Sequence, residues 1–234
     1  MEQLKKYCGE IGITLDDLAL KRFNNYMRLV IEWNQKINLT SITDKDEFIV
    51  KHFFDSLTLI KVMDIKKGSK IIDVGTGAGF PGIPLKIARP DIEITLLDSL
   101  NKRMVFLQNE VLPTLGLTAE VIHGRAEDLS KNTQYREKFD FAVSRAVANL
   151  SSLSEYCIPF VKVGGSFISM KGPDSEEEIN SAANAIRILG GKLGSTVPFI
   201  LPDGSGRTIA VINKIKSTPD KYPRRGVKIN KQPL

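Results

Sequence analysis

The chain has 234 residues, of which 42% are hydrophobic and 26% charged, a composition typical of a soluble globular protein. No stretch approaches the roughly 20 apolar residues that cross a bilayer, and the N-terminus lacks an apolar signal segment, so we expect a cytoplasmic protein with no membrane partner. Two cysteines without CxxC spacing argue against a disulfide framework or a zinc site, and no metal is expected.

Residues 1–62 are predicted to form a helical extension. Apolar side chains recur at helical spacing in two stripes, which indicates packing surfaces. The stripes contain Phe23, Met27 and Val30, then Ile49, Phe53 and Leu57. Trp33 lies beside the first stripe and is expected in the core. His52 precedes Asp55 and Ser56 by one turn, and a hydrogen bond on the helix surface is expected there rather than a catalytic pair.

From Gly68 the pattern changes to short apolar runs that alternate with amphipathic segments. Such alternation predicts an α/β fold with a mostly parallel sheet and helices on both faces. The predicted strands are 70–74, 93–98, 119–123, 139–145 and 164–171, and the predicted helices are 83–88, 101–115, 150–161 and 175–189. Two last apolar runs, 191–199 and 208–215, flank a glycine turn and are expected to pair as an antiparallel hairpin. We assign 63–216 to this domain.

Residues 217–234 form a basic C-terminal tail. From Lys214 onward there are seven basic side chains and one acid, Asp220, so this end carries the equivalent of the whole net charge of +6. Clustered positive charge favours a polyanion through counterion release, but a tail that is only solvated is an equal alternative. Two prolines and a glycine in the last 13 residues argue against a helix.

The strongest local signal is Asp73-Val-Gly75-Thr-Gly77-Ala-Gly79-Phe80-Pro81-Gly82, which follows a predicted strand and precedes a helix. Glycines permit a sharp turn and let a ligand approach the backbone at the carboxyl end of a strand. Gly77 to Gly82 also matches the dinucleotide pattern G-x-G-x-x-G, and Asp98 lies where a ribose-binding acid is expected. By itself the loop fits a dinucleotide and S-adenosyl-L-methionine equally well.

Neighbouring residues favour S-adenosylmethionine. Asp73 places a carboxylate where it could pair with the amino group of an amino acid, whereas a pyrophosphate would be repelled. Pro81 and Pro84 offer no N–H to a phosphate. Residues 124–128, Gly-Arg-Ala-Glu-Asp, follow the third strand and suit an adenine edge.

These motifs resemble the class I methyltransferase pattern and, more narrowly, the RsmG (GidB) family, which methylates N7 of a guanine in bacterial 16S ribosomal RNA. The similar blocks span residues 33–172. They are WNQKINLTSI (33–42), HFFDSL (52–57), DVGTGAGFPGIPL (73–85), LLDSLNKR (96–103), GRAEDL (124–129), SRAVANL (144–150) and MKG (170–172). The resemblance implies a Rossmann-like class I methyltransferase sheet and an rRNA methyltransferase that acts on the small ribosomal subunit or its assembly intermediate, with a monomer expected.

The resemblance also implies roles for individual residues. In the cofactor site, the loop residues Asp73, Gly75, Gly77, Gly79 and Phe80 would line the cleft, Asp98 and Ser99 would meet the ribose, and Ala126 and Glu127 the adenine. Arg145 would face the junction of cofactor and substrate and is assigned to both the cofactor and the catalytic set. Lys171 and Arg207 would lie beside the target RNA.

Guanine N7 carries a lone pair at neutral pH, so it can accept a methyl group by direct in-line attack without a general base. Methylation of an exocyclic amino group commonly uses an Asn/Asp-Pro-Pro-aromatic motif after the fourth strand, and this sequence lacks that motif. Methylation at pyrimidine C5 needs a cysteine nucleophile, but Cys157 lies in an apolar helix, where a cysteine is usually inert. Both absences are compatible with methylation of N7. Three alternatives stay open: methylation of a small molecule, an NAD-dependent oxidoreductase, and an RNA-binding module without activity.

Overall fold

The computed structural model describes residues 1–145 and 148–234, and the predicted N-terminal extension consists of helical segments joined by non-helical connections at 11–16 and 38–44. Its elements are α1 (Glu2–Glu10), α2 (Asp17–Ile37), α3 (Lys45–Phe48), a π-helical segment (Ile49–Phe54), α4 (Asp55–Leu57) and a 3₁₀ turn (Thr58–Lys61). Helix α2 begins at Asp16, whose carboxylate accepts the backbone N–H of Ala19, and ends at Asn38 in the left-handed conformation.

In the part of the chain that the structure describes, seven strands form one mixed sheet in the order β3-β2-β1-β4-β5-β7-β6. The strands are β1 (Lys70–Val74), β2 (Glu93–Asp98), β3 (Glu120–His123), β4 (Phe139–Arg145), β5 (Val161–Lys171), β6 (Gly191–Ile200) and β7 (Gly206–Lys214). Strands β1 to β5 are parallel, and β7 runs antiparallel to both β5 and β6. The predicted parallel sheet with a C-terminal antiparallel hairpin is confirmed.

The remaining helices connect or follow the strands. They are α5 (Gly82–Ala88), α6 (Asn101–Phe106), a π-helical segment (Leu107–Val111), α7 (Leu112–Leu115), α8 (Ala126–Leu129), α9 (Leu150–Cys157), a 3₁₀ turn (Ile158–Phe160), α10 (Glu176–Ser181), α11 (Ala183–Ile188) and α12 (Gly226–Lys231). No helix of the described residues is long and apolar enough to cross a membrane.

Two hydrophobic cores lie on opposite faces of the sheet, because successive strand residues point to opposite sides. On β1, Ile71 packs with the N-terminal extension and α5 to α7, whereas Ile72 packs with α9 and α11. On β2, Leu96 likewise packs in the core with the N-terminal extension, and Leu97 packs in the core on the other face. The N-terminal extension therefore covers one face of the sheet, and Tyr222 brings the C-terminal segment into the core of the other.

The C-terminal residues differ from the prediction, because a short helix, α12, forms in them. Pro223 lies before this helix, Pro233 lies after it, and Gly226 is its first residue. The helix breakers thus bound the helix rather than interrupt it.

Candidate active site

The glycine loop joins β1 to α5 in a conformation that its glycines permit. Gly75, Gly77 and Gly79 all have positive φ, at 75°, 61° and 109°. A side chain at Gly82 would place its Cβ 2.8 Å from a carboxylate oxygen of Asp73, so that position also requires glycine. The loop therefore brings its own backbone, rather than side chains, to the carboxyl edge of the sheet.

Asp73 lies beneath this loop and holds it. One carboxylate oxygen accepts the Thr76 hydroxyl at 2.7 Å and the Gly82 N–H at 2.8 Å. The side chain is 0% exposed, and burial raises its pKa to about 7. Its other oxygen has no hydrogen-bond partner among the described residues. Asp73 is not among the residues that line the cleft, so its contacts assign it to the loop, and a direct contact with a cofactor stays a prediction.

Tyr26 of α2 supports the loop from the N-terminal extension. Its hydroxyl donates to the Ala78 carbonyl oxygen at 2.6 Å, and its ring packs against Phe80. A Cβ at Gly79 would lie 2.6 Å from the same hydroxyl. The glycine loop is thus held in place by a residue of the N-terminal extension, which lies outside the glycine motif.

A cleft of about 500 Å³ opens above the loop, at the carboxyl ends of β1, β2, β3 and β4. This volume lies in the range of small-molecule sites. Eight of the ten predicted cofactor residues line its walls: Gly75, Gly77, Phe80, Asp98, Ser99, Ala126, Glu127 and Arg145. Asp73 and Gly79 lie outside this set.

Asp98 ends β2 and connects the loop to the next strand. One of its carboxylate oxygens accepts the Gly77 N–H at 2.9 Å, and the other accepts the Leu100 N–H at 2.9 Å. Arg103 lies 3.5 Å from the first oxygen. The oxygen that accepts from Leu100 retains a further lone pair as an acceptor. The carboxylate is therefore fixed in place and can still receive a hydroxyl group from a ligand.

Arg145, at the end of β4, is held by the N-terminal extension. Its guanidinium donates to the Lys51 carbonyl oxygen at 2.8 Å, lies 3.2 Å from an oxygen of Asp55, and donates to Nδ1 of His52 at 3.1 Å. It also lies over the Phe80 ring, 5.1 Å from the centroid. Ala146, which follows it in the predicted Ser-Arg-Ala motif, lies outside the described residues.

His52 is buried, and the expected hydrogen bond on the helix surface is wrong. Its ring stacks on Phe80 at 4.5 Å, and its Nε2 lies 2.7 Å from the Thr40 hydroxyl. Since an arginine only donates, Nδ1 must accept and Nε2 carries the proton. Burial and then Arg145 lower the pKa of His52 to about 3, so the ring is neutral at physiological pH.

Arg207 and Lys171 occupy different surroundings. Arg207, near the start of β7, lies 3.5 Å from Asp55, so that buried carboxylate, 3% exposed, lies between two arginines. Lys171 instead donates to the Ala148 carbonyl oxygen and pairs with Glu178, both at 2.7 Å. The structure thus joins Arg145 with Arg207 through Asp55 and places Lys171 in a separate ion pair. The role of each beside RNA stays a prediction.

The C-terminal segment, residues 217–234, reaches the end of the cleft that follows β3. Asn230 of α12 and Tyr156 of α9 line it, and the Tyr156 hydroxyl donates to the Asn230 side-chain oxygen at 3.0 Å. The backbone at Gly226 lies so close to Glu127 that a Cβ would be 2.1 Å from a carboxylate oxygen. Nothing in the sequence pattern placed these residues at the cleft.

Comparison with known proteins gives the family. The family model described as rRNA small subunit methyltransferase G, GidB, matches residues 19–202. A ribosomal RNA small subunit methyltransferase G of Clostridium perfringens is 49% identical over 233 residues, which is 99% of this chain and 97% of that protein. The chain belongs to the GidB family of rRNA small subunit methyltransferases. The resemblance inferred from the sequence is confirmed.

Solved structures of low sequence identity share the fold of this GidB chain. A SAM dependent methyltransferase from Aquifex aeolicus superposes with a TM-score of 0.52 at 18% identity, covering 72% of this chain and 93% of that one. TrmN from Thermus thermophilus gives a TM-score of 0.53 at 15% identity, covering 68% of this chain and 48% of that one. The Rossmann-like methyltransferase fold predicted for this GidB chain is therefore confirmed.

Four residues of this GidB chain that sequence reasoning did not assign to the site now belong to it or support it: Tyr26, His52, Asp55 and Asn230. His52 and Asp55 lie in the block HFFDSL, which carried the resemblance and could have drawn attention to them. Tyr26 and Asn230 lie in no motif. Cys157 is buried and its thiol pKa is raised by burial, as expected for a cysteine that only packs.

Proposed function

We propose that this chain transfers a methyl group from S-adenosylmethionine to N7 of a guanine in 16S rRNA of the small ribosomal subunit. One observation carries the proposal: the loop of a GidB-family chain and the fixed carboxylate of Asp98 line a single cleft that Arg145 also enters. Ribosomal subunits are cytoplasmic particles, so we place the protein in the cytoplasm.

The cleft fits the proposed cofactor. Gly75 and Gly77 offer close approach to the backbone, Asp98 retains a lone pair for a ribose hydroxyl, and Ala126 and Glu127 would flank the adenine. When bound, S-adenosylmethionine supplies a methyl group on a sulfonium, which a ring nitrogen with a free lone pair can accept in line. The chain's own task is then to hold the guanine in place.

The titratable groups beside Arg145 support a reaction without a general base. His52 is neutral, but its Nδ1 lone pair accepts from Arg145, and Asp55 is engaged by two arginines. Both groups are therefore engaged with arginine N–H donors. Arg145 itself offers N–H donors, which suit O6 of guanine or an adjacent phosphate.

Five basic side chains near the C-terminus support an RNA substrate. Lys214 and Arg224 are paired with Glu137 and Glu155, whereas the remaining five of the seven are exposed. The exposed ones are Lys216, Lys221, Arg225, Lys228 and Lys231. Exposed clustered charge binds phosphates, whereas a small methyl acceptor would not need it.

The test is transfer of labelled methyl from S-adenosylmethionine to small subunits from cells that lack this protein, followed by nuclease digestion and mass spectrometry of the nucleosides. One 7-methylguanosine in 16S rRNA is the expected product. Naked 16S rRNA, assembly intermediates and mature subunits are offered in parallel to find the substrate form. Transfer to no RNA, with the cofactor still bound, would favour a small-molecule acceptor instead.

A further inference from the structure

We infer that residues 217–234 are a wall of the cofactor site and that Asn230 is a cofactor-binding residue. The inference rests on the proposed use of S-adenosylmethionine. The sequence predicted only a basic tail for this segment. Its contribution to the cleft does not depend on its positive charge.

The segment is fastened to the body of the protein where it leaves β7. The Arg136 guanidinium donates to three of its carbonyl oxygens, those of Thr218, Pro219 and Tyr222, at 2.8 to 3.3 Å. The Thr218 N–H donates to Glu137 at 2.7 Å. These bonds fix the backbone of residues 218–222 on the surface beside β4.

A second attachment lies closer to α12. Arg224 forms a two-pronged ion pair with Glu155 of α9, whose side chain is fully buried, and the same carboxylate accepts the Arg224 backbone N–H at 2.7 Å. Such paired, charge-assisted bonds are directional. Ile229 of α12 is fully buried, and its carbonyl oxygen accepts the Ser152 hydroxyl. The helix is therefore held in one orientation above α9.

That orientation places Asn230 at the cleft. Its side-chain oxygen is occupied by the Tyr156 hydroxyl, which leaves the amide N–H groups as donors. The adjacent wall consists of Ala126 and Glu127, the residues proposed to flank the adenine, and Gly226 lies directly against Glu127. Adenine ring nitrogens are hydrogen-bond acceptors, so the free amide of Asn230 complements the base.

The inference predicts the effect of Asn230→Ala on binding of S-adenosylhomocysteine, measured by calorimetry with the full chain. We expect the affinity to fall about 5- to 10-fold, the loss typical of one hydrogen bond. Adenosine should lose affinity by the same factor, because the contact is to the nucleoside. Val227→Ala, at an exposed position of the same helix that does not line the cleft, is the matched control and should bind both ligands as the unaltered chain does.

Trypsin supplies a second readout, because Lys221, Arg224, Arg225 and Lys228 are potential cleavage points in the segment. We expect S-adenosylhomocysteine to slow cleavage between residues 221 and 229, and to do so less in Asn230→Ala at equal ligand concentration. A segment that is only a structural brace would be cleaved at the same rate with and without ligand.

The outcomes separate the two proposals. If the unaltered chain binds S-adenosylhomocysteine while Asn230→Ala binds both ligands equally well, Asn230 is not a cofactor contact and this inference alone fails. If the unaltered chain binds neither ligand, the proposed cofactor fails and the inference fails with it. Loss of S-adenosylhomocysteine affinity with adenosine unaffected would also overturn the assignment to the adenine end.

Discussion

The two ends of the chain reach one cleft from opposite faces of the sheet, but they are held there differently. The N-terminal extension is part of a hydrophobic core: Phe23, Tyr26 and Phe53 are fully buried in it. The C-terminal segment contributes four buried residues, Thr218, Tyr222, Pro223 and Ile229, and is otherwise attached by polar contacts.

The N-terminal extension and the C-terminal segment form two walls of the cleft, and substitutions in them should have different effects on stability and on activity. Apolar burial contributes roughly 25 cal/mol per Å², so we expect the domain to unfold when the N-terminal extension is removed. The C-terminal wall depends on a few hydrogen bonds and ion pairs. Variants at the N-terminal wall should therefore affect the positions of the arginines, whereas variants at the C-terminal wall should affect the cofactor end with the sheet intact.

The largest effect is expected from Asp55→Asn. This carboxylate holds Arg145 and Arg207 together, and a displacement of about 1 Å near the reacting atoms can cost about 100-fold in rate. We expect kcat to fall about 100-fold while KM for the RNA does not rise, because removing an acid leaves the site more positive. Steady-state methyl transfer measures both constants.

The matched control for Asp55 is Asp140→Asn. Asp140 lies near the start of the strand that Arg145 ends, and its carboxylate accepts the Lys70 backbone N–H and pairs with Lys162. It lies at the far end of β4 from the cleft, so its variant should retain full activity. Equal rates for the two variants would show that Asp55 does not position the arginines.

The next effect tests the C-terminal attachment through Glu155→Gln. Loss of one partner of a buried ion pair costs about 3–5 kcal/mol, and here the other partner, Arg224, can escape to solvent only if the segment detaches. We expect rapid tryptic cleavage near residue 221 and weaker cofactor binding, with an unchanged far-ultraviolet circular dichroism spectrum. If trypsin cleaved Glu155→Gln as slowly as the unaltered chain, the Arg224–Glu155 ion pair would not be needed to hold the segment in place.

The sequence predicted the order of strands and helices because apolar spacing and glycine turns are local signals. The glycine loop was also found from local signals. Gly75, Gly77 and Gly79 are required by their own positive φ angles, and Gly82 by the close approach of Asp73. Tyr26 and Asn230 could not be found, because their contacts join residues 52 and 74 positions apart in the chain.

Two predictions were wrong for identifiable physical reasons. The His52 ring is turned into the protein, where its two nitrogens contact Thr40 and Arg145, so it forms no surface bond to Asp55 or Ser56. The C-terminal helix was missed because its prolines were counted as breakers although they bound it. In both cases the residue types were recognised, but their positions in the folded chain could not be inferred from the sequence.

A smaller effect is expected from Tyr26→Phe, which removes the hydroxyl that donates to the Ala78 carbonyl and keeps the ring in the core. A buried hydrogen bond contributes about 1 kcal/mol, and the carbonyl left without a partner adds to the loss. We expect the free energy of unfolding to fall by about 1–2 kcal/mol in urea titrations. Tyr7→Phe, whose hydroxyl accepts a bond from Gln3 at the half-buried end of α1, is the control and should change little.

The smallest effect concerns the pH dependence of stability through His52. Its pKa is about 3 in the folded chain and near 6.5 when unfolded, so between these values the unfolded chain binds a proton that the folded chain does not. Stability from this group is therefore fully present above pH 6.5 and is lost as the pH falls toward 3. Denaturant midpoints at pH 7.5 and about pH 5 should differ less for His52→Gln than for the unaltered chain, whereas His123→Gln, at an exposed histidine, should leave the difference unchanged. An identical difference in all three proteins would show that His52 is protonated in the fold, and its acceptor bond from Arg145 would then have to be abandoned.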